Sequence, residues 1–238
     1  MPRLELEVAE VRQETPTIRS VRLDLGGKPF AFKPGQYCLV ELPVGPETED
    51  HPLSLASSPT RTNSLLFASR RSDSPFKQSL FALKPGDRVA VTGPVGRFVY
   101  DEAAEHTVLL SGGIGITPLK SMLEYACDHC IERPVSLLYG NRTPDEIAFR
   151  NELDTLAEAN PHITVVHTLS QPQAASEPWS GRTGRVNEAL IREVVPQVDR
   201  ARYYICGPPG MVSGLRGVLT QMAVPDGNVR VENFDGYE

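Results

Sequence analysis

The sequence has few of the residues that would cross-link it or place it in a membrane. Four cysteines in 238 residues (Cys38, Cys127, Cys130 and Cys206) do not resemble the dense framework of a disulfide-stapled domain. No apolar run approaches the roughly 20 residues that a membrane-spanning helix needs. The first residues, MPRLELEVAEVRQ, lack the apolar core of a signal peptide. We therefore expect a cytoplasmic, thiol-reduced protein without a membrane span.

An excess of charge of either sign is also missing. The chain has 24 Lys+Arg against 30 Asp+Glu, which gives a net charge of −6. This balance argues against nucleic acid or an anionic membrane surface as a partner. A chain of 238 residues is long enough for one large or two small domains with ample room for a core.

The first hundred residues are predicted to form short antiparallel strands. LELEVAEVRQ and TIRSVRLDL alternate with a period of two, as half-buried strands do, and SLLFASRR (64–71) is a further strand. Lys-Pro-Gly turns at 33–35 and 84–86 each lead into another strand. At least six such strands favour a closed antiparallel β-barrel, which has no exposed edges. FKQSLFAL (76–83) is the one helical turn expected in this half.

Beyond about residue 105, strands alternate with helices, which predicts a doubly wound parallel α/β domain. Thr143, Pro144 and Glu146 have the pattern of an N-cap, a first helical position and a capping box, so a helix is expected to begin there. The stretch 170–184 is expected to be a loop. The predicted strands are 106–111, 134–140, 163–168, 201–206 and 228–234. We predict domains at residues 1–102 and 103–238.

The stretch SGGIGITP (111–118) lies between a buried strand and a helix. Glycines there let backbone N–H groups approach a phosphate at the positive end of the helix. The stretch differs from the G-x-G-x-x-G fingerprint, because Pro118 occupies the place of the third glycine. A tight strand-to-helix turn without a ligand is the alternative interpretation.

The end of the next strand bears on the choice of nucleotide. An acid that would bind the ribose hydroxyls of NADH is missing, and the strand ends in Gly140-Asn141-Arg142. An arginine accommodates a 2′-phosphate where an acid would repel it, which favours NADPH over NADH. Arg142 as a solvated loop charge is the alternative.

CGPPGM (206–211) ends another buried strand. Ligands of open α/β sheets lie at the carboxyl ends of the strands, so this loop should share one rim with the glycine loop and the Arg142 loop. Cys206 either touches a substrate there or is a small buried residue.

Two other patterns give weaker signals. Cys127 and Cys130 form one C-x-x-C without a second pair, which is a poor zinc signal, so no metal is predicted. Four arginines could mark a partner-binding patch, although charges on strand faces are the simpler interpretation; they are Arg61, Arg70, Arg71 and Arg88.

These motifs, in this order, resemble the ferredoxin–NADP reductase superfamily. GGIGITP, CGPPGM and the terminal VENFDGY match its nicotinamide-side motifs. HPLS (51–54) resembles its flavin motif, usually Arg-x-Tyr-Ser or Arg-x-Tyr-Thr, and SDSPFKQSL resembles its flavin-pyrophosphate loop. The resemblance covers nearly the whole chain. It implies an FAD-binding barrel followed by an NAD(P)-binding domain, with hydride transfer from nicotinamide to flavin N5 at their interface.

The resemblance also implies a role for each matching residue. His51 takes the place of an arginine near the flavin phosphate or ribityl chain. Leu53 takes that of a tyrosine against the ring, and Ser54 that of the hydroxyl near N5. Thr117 would lie between flavin and nicotinamide, and Cys206 would face nicotinamide C4.

By the same resemblance, two further groups of residues would contact the flavin. The strand that lines it would carry Ala68, Ser69 and Arg70, and the pyrophosphate loop would carry Ser74, Phe76, Lys77, Gln78 and Ser79. Lys77 and the N–H groups at a helix start suit an anion there; a solvated lysine is the alternative. Glu232 and Phe234 match residues near the flavin ring. The alternatives are that Glu232 is a surface residue of a strand and that Phe234 is an aromatic residue of the core. His51 has less charge than the arginine it replaces, and Leu53 lacks the stacking face of the tyrosine. Phe234 and Tyr237 are therefore the candidates for covering the flavin ring.

The predicted catalytic residues are Ser54, Cys206 and Glu232. The predicted cofactor-binding residues are His51, Pro52, Leu53, Ser54, Ala68, Ser69, Arg70, Ser74, Phe76, Lys77, Gln78, Ser79, Gly112, Gly113, Gly115, Thr117, Pro118, Asn141, Arg142, Cys206, Gly207, Pro208, Met211 and Phe234. FAD is expected rather than FMN, together with NADPH or NADH.

The favoured function is a flavin-dependent NAD(P)H oxidoreductase that passes electrons to a separate acceptor such as ferredoxin or flavodoxin. One alternative is the reduction of a small diffusible acceptor, such as free flavin, a ferric chelate or a quinone. Another is a flavin-carrying electron-transfer or regulatory subunit of a larger complex. The sequence leaves the acceptor and the oligomeric state open.

Overall fold

The computed structural model describes residues 1–174 and 178–234 and contains two six-stranded sheets that share no strand. The first sheet is antiparallel, with the strand order β4-β3-β6-β1-β2-β5. Its strands are β1 (Arg3–Thr15), β2 (Ile18–Asp24), β3 (Tyr37–Val44), β4 (Glu47–Ser54), β5 (Ser64–Arg70) and β6 (Arg88–Val95). The expected antiparallel sheet is confirmed.

The two outer strands of this sheet meet just beyond β4. There the Ala56 N–H donates to the Leu66 carbonyl at 2.8 Å, which joins the end of β4 to β5 and curls the sheet into a barrel. Helix α1 (Pro75–Ala82) covers the barrel interior with Phe76 and Leu80, both of which are buried. The predicted helical turn is therefore a short helix that seals the core.

The second sheet is parallel, with the strand order β10-β9-β8-β7-β11-β12. Its strands are β7 (Thr107–Gly112), β8 (Val135–Asn141), β9 (Ile163–Leu169), β10 (Arg182–Thr183), β11 (Arg202–Gly207) and β12 (Val229–Asn233). The helices are α2 (Ile116–Asp128), α3 (Arg150–Ala159), α4 (Glu188–Val194) and α5 (Pro209–Gln221).

Alternate residues of the central strand β7 enter two different cores. Leu109 packs on the face that carries α2 and α3, while Val108 and Leu110 pack on the face that carries α4 and α5. Every residue of β7 is buried, as expected for a strand covered on both faces. The predicted doubly wound arrangement is confirmed.

The helix expected from Thr143 begins later than predicted. Thr143 is extended and makes no side-chain cap, and only a 3₁₀ turn forms at Pro144–Glu146. The next three residues are all buried, which a helix with one face on the core does not allow, and Phe149 has a left-handed φ of 58°. The chain leaves helical geometry to bury these side chains, and α3 starts at Arg150.

The stretch 170–184 is more ordered than the predicted loop in the part that the structure describes. It contains a 3₁₀ turn at Pro172–Ala174 and the short strand β10, which pairs with β9. Thr168 donates a hydrogen bond to the Gly184 carbonyl at 2.8 Å, which supports this edge of the sheet. No helix within residues 1–174 and 178–234 is long and apolar enough to cross a membrane.

Candidate functional site

Three loops meet at the carboxyl edge of the parallel sheet. Strands β8, β7 and β11 are neighbours, so the turns that follow Asn141, Gly112 and Gly207 lie side by side. This is the rim on which the sequence placed nucleotide binding, and it is the usual ligand position for a sheet of this kind.

The glycine turn after β7 is packed directly against the end of β11. Residues Gly113–Gly115 form a 3₁₀ turn, and α2 begins at the next residue. A Cβ at Gly115 would lie 2.2 Å from the Cys206 carbonyl oxygen, so only glycine fits at this position. Thr117 is buried, and its hydroxyl donates to the Ile114 carbonyl at 3.2 Å, which closes the turn.

Met211, the last residue of the CGPPGM motif, covers the same edge. A Cβ at Gly112 would lie 2.2 Å from the Met211 sulfur, and one at Gly207 would lie 2.6 Å from its methyl carbon. The two glycines thus let a flexible apolar side chain pack against both strand ends. Pro118 is buried at the start of α2, and the neighbouring Pro208 is exposed at the start of α5.

Cys206 and Glu232 are register partners on β11 and β12. Cys206 is fully buried, and burial raises the pKa of its thiol, with the Glu232 charge adding to the effect. Burial raises the pKa of Glu232 to about 7. Its Oε2 atom is buried and has no hydrogen-bond partner among the described residues. The site therefore holds a carboxyl that changes protonation near neutral pH and has a free bonding position.

The strand ends carry further buried polar atoms without partners. Among the described residues, these include the Ser111 hydroxyl on β7, both side-chain polar atoms of Asn141 on β8 and Nδ1 of His167 on β9. Buried polar groups are nearly always hydrogen-bonded, so unsatisfied ones on one rim fit a polar ligand such as a nucleotide. Ser111 was not among the predicted site residues, although it opens the SGGIGITP motif.

Arg142, which follows Asn141, already has a partner. Its Nε and Nη2 atoms donate to the two carboxylate oxygens of Glu146 at 3.0 and 2.8 Å. This bidentate pair raises the pKa of the Arg142 guanidinium and engages two of its three nitrogens.

The barrel side of the site contains β4, β5 and α1. On β4, the His51 ring stacks on Phe76 of α1 with ring centroids 4.1 Å apart, and Nε2 lies 3.1 Å from Glu49 Oε2. Leu53 points into the barrel core, where it is 5% exposed, and Ser54 ends the strand nearly buried. Pro52 between them is exposed.

The start of α1 has features that suit a phosphate. Its first turn carries no acidic residue, and Ser74 at the N-cap position makes no side-chain cap, so backbone N–H groups remain available there. Burial lowers the pKa of Lys77 in this turn. Gln78 donates to the Asp73 carbonyl at 3.2 Å and Ser79 to the Pro43 carbonyl at 2.8 Å, which anchors the helix.

Strand β5 brings the barrel up to the glycine turn. Ala68 and Ser69 are buried, and the Arg70 side chain reaches from the barrel to the glycine turn. A Cβ at Gly113 would lie 2.8 Å from Arg70 Nη2, so the guanidinium rests on the turn. Strand β5, which is predicted to line the flavin, and the predicted nucleotide turn thus face each other. Phe234 follows β12, with its N–H 3.2 Å from the Gly207 carbonyl; Tyr237 lies outside the described residues.

The remaining sequence candidates make other contacts. Cys127 lies in the last turn of α2, close in sequence to the exposed Cys130. No group of three or more potential ligands for a metal ion occurs in the part of the chain that the structure describes. Arg61 pairs with Glu124 and Asp128, while Arg71 lies over the Phe81 ring. Arg88 pairs with Glu7.

Comparison with known proteins agrees with this arrangement. Residues 109–217 match the family model described as the oxidoreductase NAD-binding domain. The match runs from β7 into α5, so it covers most of the parallel α/β half that carries the rim.

Two curated proteins show what the chain is similar to. The glycine betaine monooxygenase reductase subunit of Chromohalobacter salexigens is 29% identical over 208 residues, which cover 86% of this chain and 56% of that protein. One of the subunits of the Na(+)-translocating NADH-quinone reductase of Idiomarina loihiensis is 32% identical over 161 residues, or 66% of this chain and 39% of that protein. The chain thus spans about half the length, or less, of these relatives.

A solved structure matches the whole fold. The ferredoxin NADP+ reductase from Neisseria gonorrhoeae, with bound FAD and NADP, superposes with a TM-score of 0.82 at 20% identity. The alignment covers 97% of this chain and 98% of that one. The chain therefore contains a region similar to an oxidoreductase NAD-binding domain and shares the overall fold of that reductase.

Proposed function

We propose that the protein takes a hydride from NADH or NADPH at its carboxyl-edge rim and passes the electrons through FAD to a separate acceptor protein of the ferredoxin or flavodoxin type. The observation that carries this proposal is the contact of Arg70, on the strand β5 that is predicted to line the flavin, with Gly113 of the nucleotide turn. It joins the two predicted cofactor sites across one interface. When bound, the flavin supplies the step from two-electron to one-electron transfer.

In this proposal the chain's own residues bind and orient the cofactors. The first turn of α1 would hold the pyrophosphate, and Ser54 would place its hydroxyl near the reacting end of the flavin. Ser111 and Asn141 would bond the nicotinamide nucleotide. Glu232, with its raised pKa, would hold a proton near neutral pH and donate a hydrogen bond from its buried oxygen.

A spectrum of the purified protein tests this proposal. Flavin absorbance bands should be present or should appear after loading with FAD, and anaerobic NADH or NADPH should bleach them. Protein that stays colourless after incubation with FAD and with FMN would contradict the proposal. Faster turnover with added ferredoxin or flavodoxin than with a ferric chelate or free flavin would favour a protein acceptor.

A second candidate function is an electron-transfer subunit of a larger complex. Both relatives above are named as subunits, one of a monooxygenase and one of a quinone reductase. This candidate predicts that reduced flavin forms normally but passes electrons slowly to every soluble acceptor. We propose a cytoplasmic location, with domains at residues 1–102 and 103–238.

Glu146 is proposed to weaken the preference for NADPH that Arg142 suggests. A 2′-phosphate must compete with the bidentate carboxylate for the Arg142 guanidinium. Glu146→Gln should therefore raise the ratio of kcat/KM for NADPH to that for NADH by roughly tenfold. Steady-state kinetics with both nucleotides measures this ratio.

A matched control is available on α4. Glu188 makes an i,i+4 pair with Arg192 at 2.7 Å, so Glu188→Gln removes the same charge from a similar pair elsewhere. The control should leave the nucleotide ratio unchanged. An unchanged ratio in Glu146→Gln as well would mean that Arg142 does not contact the 2′-position.

A further inference from the structure

Helix α2 carries a buried lysine that the proposed function leaves without a role. Lys120 is only 2% exposed. Lysine is almost never buried to this extent unless its charge is paired. Its Nζ atom lies 3.1 Å from Glu152 Oε2 and 3.8 Å from Glu124 Oε2, and it sits 5.3 Å from the centre of the Phe149 ring. The charge is thus held by two carboxylates and an aromatic face within the nucleotide-binding half of the chain.

The same charge network reaches the barrel. Lys120 Nζ donates to the Ala56 carbonyl at 3.4 Å, and Glu152 also pairs with Arg12 on β1. Burial alone would raise the pKa of Glu152, but the charges of Lys120 and Arg12 and their hydrogen bonds to it lower that pKa overall. A buried ammonium therefore bridges the two sheets.

The barrel segment that it contacts continues from the predicted flavin strand. Ser54 ends β4, and the Ala56 N–H closes the barrel on Leu66 two residues later. Ser121, next to Lys120, donates to the Ser57 carbonyl at 2.7 Å. The Ser58 N–H donates to Glu124 at 2.7 Å. One face of α2 thus holds residues 56–58 through three successive backbone groups.

We infer that Lys120 is a positioning residue that fixes the flavin strand relative to the nucleotide turn. Helix α2 begins at the end of that turn, and Lys120 lies about one helical turn further along it. The helix therefore connects the nucleotide end of the site to the segment beyond Ser54. Misplacement of the reacting atoms by about 1 Å costs on the order of a hundredfold in rate, so such a connection matters for hydride transfer. The inference rests on the proposed function.

The test compares Lys120→Met with wild-type protein in anaerobic stopped-flow reduction of bound FAD by NADH and by NADPH. Methionine keeps the length and apolar stem of the side chain but removes the ammonium. The limiting rate of flavin bleaching should fall by roughly 10- to 100-fold. The nucleotide concentration at half-maximal rate should change less than about threefold, since Lys120 lies beneath the rim. Lys28→Met, the same change at an exposed barrel lysine, should keep the wild-type rate.

A double variant separates positioning from folding stability. Lys120→Met alone removes a buried charge partner of Glu152 and should lower the melting temperature. The double variant Lys120→Met/Glu152→Gln removes both charges. Arg12 still has its ion pair with Glu14, and Glu124 still has its ion pair with Arg61. The melting temperature should recover in the double variant, but flavin reduction should stay slow.

The outcomes are distinct. A wild-type bleaching rate in Lys120→Met, or a rate that recovers together with stability in the double variant, would overturn the positioning role. If wild-type protein loaded with FAD is not bleached by either nucleotide, the proposed function fails and this inference fails with it.

Discussion

Replacing Gly115 with alanine should lower the melting temperature by about 6 to 12 °C and abolish nicotinamide binding. The added Cβ would lie 2.2 Å from the Cys206 carbonyl oxygen and 2.6 Å from the Gly207 Cα. Both neighbours are backbone atoms, so no side chain can rotate away, and the turn must separate from β11. Overpacking of this kind costs about 3 kcal/mol, and each kcal/mol corresponds to about 2–4 °C in a protein of this size.

The effect on function follows from what the turn joins. Gly115 directly precedes α2, and its close approach to β11 sets the distance between the glycine turn and Cys206. The φ of Gly115 is −61°, which alanine adopts freely, so any damage comes from the contact and not from backbone strain. Thermal unfolding and titration with NADH or NADPH measure the two effects.

Gly217→Ala is the matched control. Gly217 lies inside α5, is exposed, and has nothing within 4 Å of an added Cβ. Alanine at an exposed helical position stabilises by about 0.5–1 kcal/mol relative to glycine. Wild-type stability in Gly115→Ala would show that the turn can move away from β11 without cost.

The strands and the rim could be predicted because their causes are local. The alternation of β1, the Lys-Pro-Gly turns and the unbroken apolar run of β7 each depend on a few adjacent residues. The parallel sheet then brings the ends of β7, β8 and β11 together by topology alone. The start of α3 was predicted wrongly because the burial of Phe149 in the core outweighs the capping pattern at Thr143.

Contacts between distant residues could not be read from the sequence in the same way. His51 was expected near a phosphate, but its stacking on Phe76 depends on where α1 seals the barrel. Lys120 is an ordinary helix residue in the sequence, and only the approach of Ala56 and Glu152 makes it a buried charge. The Arg142–Glu146 pair is local, and its i,i+4 spacing is a signal that sequence analysis could have used.

Glu232→Gln should make the protein more stable than wild type above neutral pH, by about 3 kcal/mol at pH 8. Burial raises the pKa of Glu232 from an ordinary value of 4.5 to about 7 in the folded protein. Between these values the folded state retains a proton that the unfolded state has lost. The free energy of unfolding of the wild type should therefore fall as pH rises from about 4.5 to about 7.

Glutamine at position 232 has no proton to lose, so it lacks this dependence. Below pH 4.5 the Glu232 carboxyl is protonated in both the folded and the unfolded wild type, so the free energies of unfolding of the two proteins should differ little. Above pH 7 the full difference in the free energy of unfolding should be present. Denaturant unfolding at several pH values from 4.5 to 8 measures it. Glu132→Gln, at an exposed carboxyl in the loop before β8, controls for the loss of one negative charge and should follow the wild-type curve.

The same substitution bears on the reaction, because Glu232 adjoins Cys206 at the rim. If Glu232 donates a hydrogen bond there, the rate of flavin reduction in wild type should fall as pH rises through about 7. Glu232→Gln keeps a donor at every pH, so its rate should stay level through this range. A level wild-type profile together with a stability difference would mean that Glu232 is a buried structural carboxyl and takes no part in hydride transfer. A falling rate in both proteins would assign the titration to another group.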